Sequence, residues 1–251
     1  MNAVKRKIKI LDLLKEKGSI DVESLTHLFG VSKVTVRNDL DDLGKKGLLI
    51  RTHGGAMLPE NLDLVRVLSN TLKEHEKEKY AICKEALSLI RPQMNILIDS
   101  GSTTVHLAKM VRSMPLTVIT NSVLVLQELV NSDHVELFMA GGVLRKASLS
   151  MMGDPAAYFF SQVHADILFL GVSGFSFEKG MTCTNIIEAE TKKQMIKNSS
   201  KVVLLADSHK MEKMFIAHVC DWDDIDYFIT DSLGEQERKL LEERGVRVIT
   251  P

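Results

Sequence analysis

At 251 residues, 45% hydrophobic and 26% charged, with no low-complexity tract or internal repeat, the chain excludes disorder and a repeat array and suits a small domain beside a larger one. Its net charge of −1 hides an asymmetry: residues 1–57 carry 11 Lys/Arg against 7 Asp/Glu and the remainder 21 against 26, so the basic end is the one suited to a polyanion. Cys83, Cys183 and Cys220, scattered and without CxxC spacing, speak against a disulfide framework or a metal site, and the absence of any apolar run near about 18 residues speaks for a soluble, cytoplasmic protein with no membrane partner.

Ile10, Leu13 and Leu14 set a helical period that Gly18 can terminate. Asp21 can cap a second short helix with Leu25, Leu28 and Phe29 facing inward; Gly30 ends it and Ser32 caps a third. In that third helix Val36, Leu40 and Leu43 fall at i, i+4 and i+7, which leaves Val34, Arg37, Asn38, Asp41 and Lys45 on the opposite face. Arg reads guanine and Asn reads adenine by paired hydrogen bonds in the major groove, so Arg37 and Asn38 are the candidate base readers. Ser32, Lys33 and Thr35 are placed to reach the phosphate backbone, with Val34 among them on the same exposed turn. Asp41, one turn later, fits a helix that enters the groove by its N-terminal end, because a flat pose would set its carboxylate against phosphates.

Leu48 to Leu58 reads as a strand, a Gly54-Gly55 turn and a return strand, a wing with Arg51 and His53 near its tip. Residues 1–58 are therefore expected to form a winged helix-turn-helix that binds double-stranded DNA. One helix and one wing discriminate poorly alone, so a homo-oligomer on repeated half-sites is expected. Pro59 opens residues 59–73, where Val65, Leu68 and Leu72 keep helical spacing and predict a connecting helix.

From residue 74 to 251 helical and strand patterns alternate, beginning with a helix over 74–90 whose Cys83, Ala86, Leu87 and Ile90 face inward. Short apolar strands follow at 95–99, 116–120, 135–139, 166–170, 202–206, 226–230 and 246–249, which predicts an α/β domain with a largely parallel sheet covered on both faces. Ligands of such sheets bind at the carboxyl edge of the strands. Five strand ends there carry small or polar residues: Asp99 with Gly101, Ser102, Thr103 and Thr104; Thr120, Asn121 and Ser122; Gly141 and Gly142 with Arg145 beyond; Gly171 and Ser173; and Asp207 with Lys210. The loop from Gly101 to Thr104 opens a helix, so its N–H groups and hydroxyls suit an anion, a phosphate above all. Lys210 is the first choice of cationic partner, with Arg145 and Lys192 as alternates. Gly141-Gly142 fits a ligand-lining loop or a plain tight turn equally well.

The wording of both halves carries a resemblance. Val31-Ser32-Lys33-Val34-Thr35-Val36-Arg37-Asn38-Asp39-Leu40 followed by Arg51-Thr52-His53-Gly54-Gly55-Ala56 closely resembles the signature of the DeoR family of bacterial regulators. Asp99-x-Gly-Ser-Thr-Thr, Thr120-Asn121-Ser122, Gly141-Gly142, Gly171-x-x-Gly174, Gly180-x-Thr182 and Ala206-Asp207-x-x-Lys210 are similar to that family's sensor domain. The resemblance implies a sensor with a fold like ribose-5-phosphate isomerase and coenzyme A transferases, a phosphorylated sugar as effector rather than any cofactor, and repression of a catabolic operon. With a sugar in view, Asp99 is better placed to accept from hydroxyls than to meet phosphate. Departures are Asn38 where many members have Arg, Gln93-Met94 for a common Gly-Asp turn, Ser173 for Asp or Asn, and His209 for Ser.

The rival reading is a sugar-phosphate isomerase-like enzyme using Asp99, Glu188, Asp207 and Lys210; the attached DNA-binding segment and the family resemblance favour sensing without turnover. Gly171-Val172-Ser173-Gly174 lacks the GxSxG spacing of a serine hydrolase, and the eight histidines include no HExxH pair.

Overall fold

The computed structural model describes residues 3–45, 48–52, 54–57, 72 and 74–251, apart from the side chains of residues 4, 15 and 16. The chain divides into two units, Met1–Asn70 and Thr71–Pro251. His53 and, Leu72 excepted, the expected connecting helix over 59–73 lie outside the described residues. No helix among the described residues is long and apolar enough to cross a membrane.

The first unit runs α1 (Ala3–Lys17), β1 (Ser19–Asp21), α2 (Val22–Phe29), α3 (Lys33–Lys45), β2 (Ile50–Arg51) and β3 (Gly55–Met57). Its core joins Ile10 and Leu14 of α1, Leu25 of α2, Val36, Leu40 and Leu43 of α3, and Leu49. Gly30 closes α2 in the left-handed region at φ 63°, which turns the chain into α3 within three residues. Leu28, expected inside, is 55% exposed, and Val22 takes the inward position instead. The wing is a three-stranded antiparallel sheet in the order β1-β3-β2, because Ser19 to Asp21 pairs with the returning strand.

The second unit opens with α4 (Glu76–Leu87), β4 (Asn95–Ile98), α5 (Ser102–Val111), β5 (Leu116–Thr120), α6 (Val123–Leu129) and β6 (Val135–Met139). It continues with β7 (Val143–Arg145), β8 (Ser150–Met152), α7 (Asp154–Ser161), β9 (Ile167–Leu170), β10 (Gly174–Ser176), β11 (Gly180–Cys183), α8 (Ile186–Lys197) and β12 (Val202–Leu205). It ends with β13 (Ala217–Cys220), β14 (Tyr227–Ile229), α9 (Glu235–Glu243) and β15 (Arg247–Ile249). The seven expected apolar runs are the seven strands of one parallel sheet, ordered β15-β14-β12-β9-β4-β5-β6. Alternate side chains of each strand enter opposite cores. Ile96, Ile98, Ile167, Phe169, Val203 and Leu205 pack under α4, α5 and α6, whereas Leu97, Leu168, Leu170 and Leu204 pack with α7, α8 and the aromatic group of Phe175, Trp222 and Phe228. Both faces being covered explains why these strands read as unbroken apolar runs.

From β4 the chain adds β5 and β6 on one side and β9, β12, β14 and β15 on the other, so the switch point of the sheet lies between the ends of β4 and β9. Two antiparallel additions flank that edge: the β7–β8 hairpin and the sheet β10-β11-β13.

Candidate nucleic-acid interface and effector site

Asp21 accepts from the Ser24 backbone N–H and hydroxyl, both at 2.7 Å, and these bonds hold its carboxyl below the usual range. Ser32 accepts from the Thr35 N–H at 3.2 Å and pairs with the Thr35 hydroxyl at 2.9 Å, so both residues are engaged in capping α3. On the inner side of α3, Asp39 and Asp42 are held by α1: Arg6 bonds Asp39, and Lys7 bonds Asp42 at 2.6 Å. Arg6 and Lys7 thus lock α1 to α3. Arg37 and Asn38 remain exposed on the outer face with no protein partner among the described residues, as base readers require. Lys33 reaches Glu23 at 2.9 Å in an exposed pair, worth little against a phosphate.

Arg51 departs from the free wing-tip cation expected. Its Nε donates to Asp41 at 2.8 Å and its Nη1 to the Gly55 carbonyl, so it ties the recognition helix to the wing and neutralises Asp41. Gly55 is required by space, since a Cβ there would lie 2.0 Å from the Ile20 carbonyl oxygen across the β1–β3 pairing.

At the sheet edge of the second unit, Gly101 starts α5 with no side-chain cap, and Gly101 and Ser102 keep part of their surface accessible. The first N–H groups of a helix have no intrahelical acceptor and carry the positive end of its dipole. Thr103 is buried, and its hydroxyl oxygen has no partner among the described residues. Thr104, expected to offer a hydroxyl to ligand, instead donates to the carbonyls of Asp99 at 2.6 Å and Gly101 at 2.9 Å, and so shapes the loop from within.

Asp99 and Lys192 also depart from expectation. Asp99 is 0% exposed; it takes the Gly171 N–H at 3.0 Å and the Lys192 ammonium, which in turn donates to the Gly171 carbonyl at 3.0 Å. Burial pushes the Asp99 carboxyl up, against the pull of Lys192. For Lys192 burial acts downward, but Asp99 and Glu188 outweigh it and hold the ammonium above its ordinary value. Both groups are enclosed, and together they tie the end of β4 to the end of β9 through α8. Glu188 extends the network, 3.6 Å from Lys192 and 3.2 Å from Arg145. Arg145 also donates to Thr184 at 3.0 Å and Ser148 at 3.3 Å, which pins the β7–β8 hairpin and leaves the side chain about one-fifth exposed.

Thr120 donates to the Ile98 carbonyl at 2.6 Å and accepts from the Ser122 N–H, and Ser122 caps α6. Both are fixed by structural bonds. Asn121 donates to the Met151 carbonyl at 3.1 Å while its own oxygen is buried and unpaired. Gly142, at φ 137°, sits where a Cβ would lie 2.6 Å from the Met152 carbonyl oxygen, so the tight-turn reading of Gly141-Gly142 holds for the second glycine; Gly141 is open on its Cβ side. Ser173 is half-buried and donates its N–H to Thr182, and Gly174 is required because the Lys213 carbonyl passes 2.1 Å from where its Cβ would stand.

Beyond β12, Asp207 is buried and lies 3.6 Å from His209 Nδ1, whose ring stacks on His75. Lys210 keeps part of its surface, and its ammonium has no partner among the described residues. Burial brings its pKa down to about 8; Asp207 opposes the shift, and Lys79 and Lys192 add to it. Among the described residues, Lys210 is therefore a cation at this edge without a hydrogen-bonded or ion-pair partner. Lys79 and His75 were not among the expected site residues, and Glu188 was named only for the rival enzyme reading; the His75–His209 and Glu188–Arg145 contacts join segments remote in sequence.

Residues 6–61 match the family model of the DeoR-like helix-turn-helix domain, and residues 74–232 match that of the DeoR C terminal sensor domain. The chain is 33% identical over 245 residues to the HTH-type transcriptional regulator GolR of Listeria innocua, covering 97% of this chain and 96% of that protein. It is likewise 33% identical over 245 residues to the HTH-type transcriptional repressor GlcR of Bacillus subtilis, covering 97% and 95%. Among solved structures it is similar to a D-ribose-5-phosphate isomerase in complex with phospho-erythronic acid, at 19% identity and a TM-score of 0.40 over 54% of each chain.

Proposed function

This chain belongs to the DeoR family of transcriptional regulators, and we propose that it represses a sugar, amino-sugar or sugar-alcohol catabolic operon until a phosphorylated sugar binds its second unit. The observation that carries the effector reading is the uncapped start of α5 at the switch point of a parallel sheet. Lys210 supplies the cation, and no cofactor is assigned. GlcR of Bacillus subtilis is named a repressor, which supports the sign. The protein works in the cytoplasm as a homo-oligomer, since a single short reading helix needs a two-fold partner to discriminate a site; sedimentation showing a strict monomer on DNA contradicts this.

Operator-bound protein titrated with a sugar and its phosphate ester tests the effector. Release by the ester alone is expected, and Ser102→Val with Thr103→Val should leave DNA binding intact while abolishing release. Equal response to both forms of the sugar, or normal release of the double variant, overturns the assignment.

A further inference from the structure

At the start of the second unit, Leu72, Glu74 and His75 are gripped from both effector loops. His106, one turn into α5, is buried with Nε2 at 3.4 Å from the Leu72 carbonyl; burial keeps its pKa low, so the ring is a neutral donor. From the loop after β12, His209 stacks on His75 with ring centroids 3.5 Å apart and planes 19° apart. Lys79 of α4 donates to the Glu74 carbonyl at 2.7 Å and is drawn electrostatically toward Asp207. His75 itself sits in the left-handed region, φ 53°, at the start of α4 and makes no side-chain cap bond. Histidine enters that region more readily than most residues, and here it sets the His75 ring against that of His209.

These contacts join three things in one place. α5 carries the start assigned to the anion, the Ser208–Lys210 turn carries a lysine unpaired among the described residues, and Leu72 and Glu74 to Glu76 stand where the linker runs into α4 in sequence. We propose that Leu72 and Glu74 to Glu76 form a clasp that relays effector occupancy into the linker, held closed by His106 and by the His75–His209 stack. The clasp rests on the effector site proposed above. An anion drawing Lys210 toward the start of α5 moves the turn on which His209 sits, and displacing His209 breaks its stack on His75 at the start of α4. The ligand acts on the clasp only through this difference in contacts between the two states.

Hydrogen exchange on the full chain, with inorganic phosphate as the probe, reads the relay at three segments: 102–106, 207–210 and 74–79. In the natural sequence, phosphate is expected to slow exchange at 102–106 and to change it at 74–79. His209→Ala and His75→Asn remove the stack, and Asn tolerates the left-handed backbone, so neither change threatens the fold. Each variant should keep the slowing at 102–106, lose the response at 74–79, and exchange about two- to tenfold faster there without phosphate, the range for one aromatic pair. An unresponsive 74–79 segment in the natural sequence, or a response that survives in both variants, overturns the clasp while leaving the anion site standing. No slowing at 102–106 overturns the anion site and the clasp with it.

Discussion

Replacing Lys192 by Met separates a structural from a ligand-binding role for the most deeply buried lysine at the effector edge. Lys192 is 1% exposed and its ammonium is shared by Asp99, the Gly171 carbonyl and Glu188. Met preserves most of the volume, so the change removes charge and hydrogen bonds and little packing. A buried carboxylate left without its counterion costs about 3–5 kcal/mol. For a unit of this size each kcal/mol moves the melting temperature by about 2–4 °C, so a fall of roughly 6–20 °C is expected in thermal unfolding. The loss has a pH signature. Without Lys192 burial raises the Asp99 carboxyl further above its unfolded value of ~3.9, so the folded variant is least penalised below that pH. Its deficit widens as pH rises from ~4 toward neutrality. Asp99→Asn in the same chain removes the stranded charge and should restore more than about 2 kcal/mol, a coupling measurable by the double-mutant cycle. A Lys192→Met protein that melts normally but no longer responds to a sugar phosphate would show instead that Lys192 meets the ligand.

Arg37→Ala should cost about 1–3 kcal/mol of operator binding and relax base preference at one position, read by binding titrations on a set of mutated sites. Affinity for a phosphorylated effector should fall as pH rises through about 8, where Lys210 loses its charge, and Lys210→Met should flatten that profile in calorimetric titrations; the effector's own second ionisation, near ~6, is complete by then. Gly55→Ala, with its Cβ 2.0 Å from the Ile20 carbonyl oxygen, should unpair β1 from β3 and abolish DNA binding while the melting of the second unit stays unchanged in calorimetry.

The parallel sheet was legible because each central strand is buried on both faces. Ile167 to Leu170 and Val202 to Leu205 are apolar without a break, and their boundaries fall within a residue of those expected. The antiparallel additions were not legible. Ser19-Ile20-Asp21 reads as turn and cap, and becomes a strand only because the returning Gly55–Met57 lies beside it. Gly174-Phe175-Ser176 and Gly180 to Cys183 are short and glycine-started, with no alternation to mark them, and their pairing is set by the approach of Lys213 and Cys220. The site was legible as a set of loops but not as a set of roles. Glu188 and Lys192 have the i, i+4 spacing of a surface pair, and nothing local announces that Asp99, 93 residues away, closes on Lys192. Thr103 and Thr104 are adjacent and chemically alike, yet one hydroxyl is unpaired and the other is consumed by the loop, a distinction that depends on the backbone path from Asp99 to Gly101.

That redistribution of roles bears on sensing against turnover. Proton transfer on a sugar phosphate needs a carboxylate that faces the cleft and is free to change its protonation state within reach of the substrate. The three carboxylates best placed along this edge, Asp99, Glu188 and Asp207, are all buried, and the first two are held by Lys192, Gly171 and Arg145. What those bonds hold together are the ends of β4 and β9, helix α8 and the β7–β8 hairpin, so the ionic groups fix loop positions instead of exchanging protons. In the proposed reading, where charged residues define the positions of the loops, an uncapped helix start and a lysine unpaired among the described residues meet the anion, and ligand occupancy becomes loop displacement. The same edge cannot also release its carboxylates for chemistry without loosening the loops whose placement it reports.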